Sequence, residues 1–193
     1  MKLLFASHNK NKVEELRQIF PNTYSLEGLD DLNDSVKIEE TGANLIENAL
    51  LKARLIHEKY GLNIISDDTG LEIEALNGAP GVLSARFAGE ENDSLKNMKK
   101  VLDLMQNEDN RAAQFRTVIA LILNNKEYLF EGIVKGIILR TYRGEGGFGY
   151  DPIFLPDGYD QTFAEMPFTL KNKISHRGIA IKNLLHFLNS HHQ

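Results

Sequence analysis

The sequence contains no cysteine. Neither a disulfide framework nor a thiolate metal site can therefore be built, and the absence fits a reducing cytoplasm. Proline is scarce, at 5 in 193 residues, and nothing reads as a low-complexity linker, an internal repeat or a long run of like charge. Excess positive charge is missing too. The formal charge is −5 and the pI is near 5.7, which argues against a nucleic-acid partner, since that would need a basic patch. No apolar run is long enough to span a bilayer, and the opening MKLLFASHNK has too short an apolar stretch for a signal peptide. A cytoplasmic protein with no membrane partner is expected. An acidic chain can still take an anionic small ligand, because a few lysines and a divalent cation collect phosphate locally. Core material is ample, with 42% hydrophobic and 25% charged residues. That suffices for a single domain spanning 1–193, with scope for division into lobes.

Strand and helix patterns alternate along the chain. Leu3 to Ala6 reads as a buried strand that opens through Ser7 to Lys12 into a helix with Val13, Leu16, Ile19 and Phe20 on one face. Asn11, three residues before Glu14, resembles a capping box, and Pro21 ends the helix. Thr23 to Leu26 is a second strand. A helix from about Ala43 to Tyr60, with Gly61 past its end, carries a stripe of Ile46, Ala49, Leu50, Ala53, Ile56 and Tyr60. A short strand from Asn63 to Ser66 breaks off at Asp67-Asp68-Thr69-Gly70. Leu71, Ile73 and Ala75 then alternate with Glu72 and Glu74 as a further strand. Asp93 caps a helix carrying Leu95, Met98, Leu102 and Met105. Ala112 to Leu123 and Glu127 to Leu139 make a hairpin around Asn124-Asn125-Lys126. A strand at Pro152 to Leu155 follows the glycine-rich stretch from Arg143 to Tyr150. The last helix begins near Ser175 with Ile181, Leu184, Leu185 and Leu188 inward. Long antiparallel strands beside strand–loop–helix units predict a mixed α/β sheet flanked by helices.

Polar segments punctuate this pattern. Ser7, His8, Asn9, Lys10, Asn11 and Lys12 join a strand to a helix N-terminus. Free N–H groups, the helix dipole and the lysine charges there suit a di- or triphosphate, with an ordinary solvated turn as the alternative. It is no Walker loop, because the GxxxxGK pattern is absent. Glu39, Glu40, Glu47, Asp67 and Asp68 form an acidic set, and magnesium prefers one or two carboxylates plus water and phosphate oxygens. In extended backbone Asp67 and Asp68 point to opposite sides, so one of them should face a site. Glu39 and Glu40 could instead simply complement a helix dipole. Asn48 and Lys52 share a helix face, where Lys52 is either a second phosphate lysine or an exposed surface lysine. In GGFGYDP, glycines around Phe148 and Tyr150 either let backbone approach a flat ligand or form a flexible loop. Lys171 and Ser175 lead to His176 and Arg177, whose charges oppose the dipole of the last helix; such a broken local rule points to a site. His186, His191 and His192 have no metal-site spacing, and a solvated tail accounts for the last two.

Taken together and in order, SHNKNK, EETGANLIENALLKAR, SDDTGLEIEALNGAPGVLSARFAG, GGFGYDPIF and KNKISHRG resemble the inosine/xanthosine triphosphate pyrophosphatase family. The likeness runs from Lys2 to about Leu188. It implies an elongated α/β fold with two lobes around a central active-site cleft, usually as a homodimer. It implies hydrolysis of noncanonical purine triphosphates (ITP, dITP and XTP) to the monophosphate and pyrophosphate with Mg²⁺. Ser7 to Lys12 would hold the triphosphate, with Lys52 helping. Asp68 would be general base and metal contact, and Glu39 a second metal contact beside Glu40 and Glu47. Thr69 would touch the substrate. Phe148, Gly149, Tyr150, Asp151, Lys171, His176 and Arg177 would form the base and sugar side, with Arg177 facing the purine C6 oxygen. The chain departs from the family at His8, where many relatives carry a small residue, at Asn11, where glycine is frequent, and at Thr69, where serine is usual.

Overall fold

Leu3, Leu4 and Phe5 have no solvent exposure, so the apolar run after Lys2 does form an inner strand, β1 (Lys2–Phe5). The computed structural model describes residues 1–36, 38–89 and 92–190; His191 and His192 lie outside them. β1 pairs in parallel with β2 (Ser25–Gly28), Leu3 opposite Leu26, and with β3 (Ile64–Ile73), Leu4 opposite Ile64. Parallel neighbours need crossovers. These are α1 (Lys10–Ile19) and α2 (Leu45–Tyr60). The strand order is β2-β1-β3-β4-β5-β6, where β4 is Ala112–Leu123, β5 is Lys126–Ile138 and β6 is Phe154–Pro156. β5 and β6 are antiparallel, with Ile137 opposite Leu155. The expected mixed sheet is therefore present. The hairpin turn is Asn124-Asn125 alone, with φ of 51° and 63°, the left-handed pair that a two-residue turn demands. Lys126 is already strand.

Local signals account for most helix ends. α2 starts at Asn44, whose side chain accepts the Glu47 N–H at 2.9 Å, while Glu47 accepts the Ala43 N–H at 2.8 Å. It stops at Gly61, where φ is 63°. Asp93 caps α3 (Ser94–Leu104) as expected. Several expectations need correction. α1 is capped by Asn9 rather than Asn11: the Asn9 side chain accepts N–H bonds from Asn11 and Lys12. The separate strands expected on either side of Asp67-Asp68-Thr69-Gly70 are one continuous β3. Both aspartates are buried and ion-paired, so their polarity does not require a turn. Leu95 is 69% exposed, and Val101 takes its place beside Met98 and Met105. Leu45 is buried while Ile46 faces out. α4 (Phe168–Ile174) falls where no helix was expected, directly before α5 (His176–Ser190).

The chain packs as two compact units. Unit 1 comprises Met1–Asp68, Thr117–Gly132 and the chain from Arg177 on; its core includes Leu3, Phe5, Leu16, Ile65, Leu121 and Leu184. Unit 2 comprises Thr69–Arg116 and Ile133–His176, with a core that includes Leu71, Ile73, Val101, Phe115, Phe154 and Phe163. Burying each such side chain contributes about 1.5–3 kcal/mol. Among the described residues, no helix is long and apolar enough to cross a membrane.

Candidate active site

In unit 1 the charges collect around two consecutive residues of β3. Asp67 and Asp68 are 1% and 5% exposed, and alternation along the strand sends them to different partners. Asp67 accepts from Lys12 Nζ at 2.9 Å and from Arg177 Nε at 3.2 Å. Arg177 donates its Nη1 to Glu15 on α1, and both side chains are buried. Burial by itself would raise the proton affinity of Asp67, but Lys12 and Arg177, with Lys52, hold its carboxyl well below the usual carboxylate range. Lys12 is pushed below the ordinary lysine value by burial, against the pull of Asp67. The alternating charges Glu15, Arg177, Asp67 and Lys12 thus form a chain from the middle of α1 to its first turn.

Asp68 has a different environment. Its Oδ2 accepts from Asn48 Nδ2 at 3.1 Å and its Oδ1 from Lys52 Nζ at 3.3 Å. Lys52 also donates to Glu40. Burial pushes the Asp68 carboxyl up; Lys52 opposes that and Glu40 reinforces it, and the net direction is upward. Asn48 accepts the Gly42 N–H at 2.7 Å, which ties the segment after Glu40 to α2. A Cβ on Gly42 would lie 2.7 Å from Asn48 Oδ1, so glycine is what lets this loop approach. Of the acidic residues singled out in the sequence, Glu40 is the one that shares an ammonium with Asp68. Glu39 is exposed, and Glu47 is engaged at the start of α2. No group of at least three metal-type side chains exists among the described residues. A pair of carboxylates still fits magnesium, which completes its shell with water and phosphate oxygens.

The turn from Ser7 to Lys12 differs in detail from expectation. Ser7 Oγ accepts the Asn9 N–H, and Asn9 Oδ1 accepts those of Asn11 and Lys12, so these N–H groups close the turn on itself. Positive charge here comes from side chains: Lys10 exposed, Lys12 directed to Asp67. His8 reaches Asp30 and the Val36 carbonyl. The expectation that Arg177 faces a purine meets a guanidinium 2% exposed and bound to Asp67 and Glu15. Glu15 was not singled out in the sequence. Its signal was there, one helical turn from Lys12 and beside Leu16 on the apolar side of α1.

Unit 2 gathers the remaining predicted residues. Asp151 Oδ2 accepts the Phe148 N–H and Lys171 Nζ, each at 2.8 Å. The Lys171 ammonium sits 4.7 Å from the Phe148 ring centroid. Gly147 has φ of 71°, and a Cβ there would fall 2.1 Å from Asp151 Oδ2. The glycine-rich stretch is therefore an ordered turn around a buried carboxylate. His176 stacks on Phe115 at 4.5 Å and 12°. Tyr150 donates its hydroxyl to the Ser84 carbonyl at 2.7 Å, and burial raises its proton affinity. Thr69, the first residue of unit 2, is half-buried, and Gly149 has φ of 63°.

A buried carboxylate of raised proton affinity, beside a second carboxylate and the buried Lys52, is an arrangement for chemistry on phosphate. The sequence model of the Ham1 family matches residues 3–187, and this chain belongs to that family. A relative from Flavobacterium johnsoniae named dITP/XTP pyrophosphatase is 50% identical over 188 residues, covering 97% of this chain and 98% of the relative. One of the same name from Porphyromonas gingivalis is 47% identical, covering 97% of each. The Staphylococcus aureus Ham1 protein superposes with a TM-score of 0.90 at 39% identity, covering 99% of this chain and all of that one. A HAM1 protein from Coxiella burnetii gives 0.91 at 37%, covering 98% and 99%.

Proposed function

We propose that this protein is a nucleoside triphosphate pyrophosphatase that hydrolyses ITP, dITP and XTP to the nucleoside monophosphate and pyrophosphate, clearing them from the nucleotide pool. The names of its relatives support the substrate class. The observation that carries the chemistry is Asp68, buried, raised in proton affinity, and next to Lys52 and Glu40. A base must be able to take a proton near neutral pH, and burial moves a carboxylate in that direction. Each Asp68 oxygen keeps a second lone pair after its bond to Asn48 or Lys52.

In the proposed reaction, water attacks the α-phosphorus, its proton passes to Asp68, and pyrophosphate leaves. Lys12 and Lys52 stabilise charge on the phosphate oxygens, and Lys10 draws in the triphosphate. Asp68 and Glu40 would hold Mg²⁺, with Glu39 the neighbouring alternative; when bound, the ion supplies Lewis-acid charge to the phosphates. Thr69, Phe148 to Asp151, Lys171 and His176 are proposed for the base and sugar, and Arg177 for holding Asp67. A homodimer is proposed from the family resemblance, and a cytoplasmic location from that of the nucleotide pool.

A purine triphosphate panel tests this reading, with pyrophosphate resolved from orthophosphate. Rapid release of pyrophosphate from dITP and XTP, slow turnover of ATP, and loss of activity on chelation are expected. Glu40→Gln should need more Mg²⁺ for half-maximal rate than Glu39→Gln. Orthophosphate as first product, or equal rates on ATP, rules the assignment out.

A further inference from the structure

His8 precedes the cap of α1 in the turn between β1 and that helix. Its Nδ1 lies 2.8 Å from Asp30 Oδ1 and its Nε2 lies 3.0 Å from the Val36 carbonyl oxygen. A carboxylate and a carbonyl both accept and neither donates. Neutral imidazole has one N–H, so in that form one contact would set lone pair against lone pair. Only the imidazolium satisfies both. Asp30 belongs to the 3₁₀ turn Leu29–Leu32, and Val36 to the stretch that follows it. The ring thus bridges the lysine-bearing turn to a separate segment of unit 1.

We propose that His8 acts as a protonated positioning residue, clamping the turn Ser7 to Lys12 against residues 30–36 and adding positive charge beside Lys10 and Lys12, so that substrate affinity depends on its protonation. The proposal rests on the reading of that turn as the triphosphate site. The charges facing the ring agree with it. The Asp30 hydrogen bond raises the proton affinity of His8 above the ordinary histidine value; partial burial opposes this, while Val36 and Asp34 add to it. Asp34 is held at about 2 by Lys59, Tyr60 and the Val36 N–H, so it stays ionised and is not the group that titrates near neutrality. Lys10, two residues on, is exposed and charged. A folded-state value above the unfolded one means the clamp is complete at low pH and is lost as pH rises through the His8 midpoint.

The test measures KM and kcat for dITP from pH 6 to 8.5 on the wild type, His8→Gln and Asp30→Asn. The terminal phosphate of the substrate titrates nearby, but its effect cancels in the ratio of variant to wild type. His8 is 37% exposed on its side chain, so the effect is that of a partly screened pair. KM of His8→Gln should exceed the wild-type value by about fivefold at pH 6, and the ratio should fall toward unity at pH 8.5, with a much smaller change in kcat. Asp30→Asn should move that fall to lower pH. Histidine-selective NMR on the whole protein supplies an arm independent of turnover. The His8 resonance, assigned by its loss in His8→Gln, should titrate above an ordinary histidine, and inorganic tripolyphosphate should raise the midpoint further. A KM ratio that does not change with pH, or a His8 midpoint at or below the ordinary value, overturns the proposal. If dITP is not turned over at all, the pyrophosphatase reading fails, and the NMR arm with tripolyphosphate still decides the role of His8.

Discussion

Asp68→Asn should lower kcat for dITP by at least ~100-fold, the scale of a lost general base, and leave the fold intact. The amide is isosteric with the carboxylate, and Lys52 keeps Glu40 as its counter-charge. Little buried charge is stranded, so thermal unfolding should move by only a few degrees, while KM changes far less than kcat. Steady-state kinetics alongside a melting curve separates these effects. A variant that turns over at near the wild-type rate removes Asp68 from the proton transfer.

Asp67→Asn, one residue earlier, should do the opposite. Its carboxylate lies between Lys12 and Arg177, and all three are largely shielded from solvent. Replacing it with a neutral amide leaves two cations facing each other, with Glu15 as counter-charge for Arg177 alone. Breaking a buried ion pair in this way costs about 3–5 kcal/mol, a large share of the ~5–15 kcal/mol that holds a typical domain together. Urea denaturation should show that loss, and a change below about 1 kcal/mol would mean the network does not hold unit 1 together. The variant should also respond differently to acid. Asp67 is depressed in the folded state, so its contribution is fully present above the ordinary aspartate value and is lost as pH falls through the folded one. Asp67→Asn lacks that part of the acid sensitivity.

The contrast between these neighbours shows how far the sequence could be read. β1, α1 and α2 were legible because their apolar spacing matches one strand and two helix faces, and Gly61 and Pro21 mark ends for reasons local to the backbone. The mixed sheet followed from the hairpin beside strand–helix units. Asp67 and Asp68 were legible as chemistry but not as mid-strand residues. What makes the burial of Asp67 tolerable is supplied by Lys12 and Arg177, 55 and 110 positions away. The Glu15–Arg177 pair spans 162 positions, and no local pattern reports a partner at that distance. The choice between Glu39 and Glu40 depends on the path of an irregular loop, which Asn48 and Gly42 set through one hydrogen bond. Asn9 was missed as the cap of α1 because Asn11, three residues before Glu14, matches the capping-box pattern, whereas Asn9 has Lys12 at the corresponding position. α4 is only 7 residues long and begins just after Pro167, too short for a helical period to show.

Asp68 acts in this account by directing water at the α-phosphorus, and the fate of the water oxygen reports that step directly. Hydrolysis of dITP in ¹⁸O-labelled water, followed by mass spectrometry of both products, should place one label in the nucleoside monophosphate and none in the pyrophosphate. Label recovered in pyrophosphate would mean that attack occurs at the β-phosphorus, and the placing of Asp68 as the base for α-phosphorus attack would be wrong.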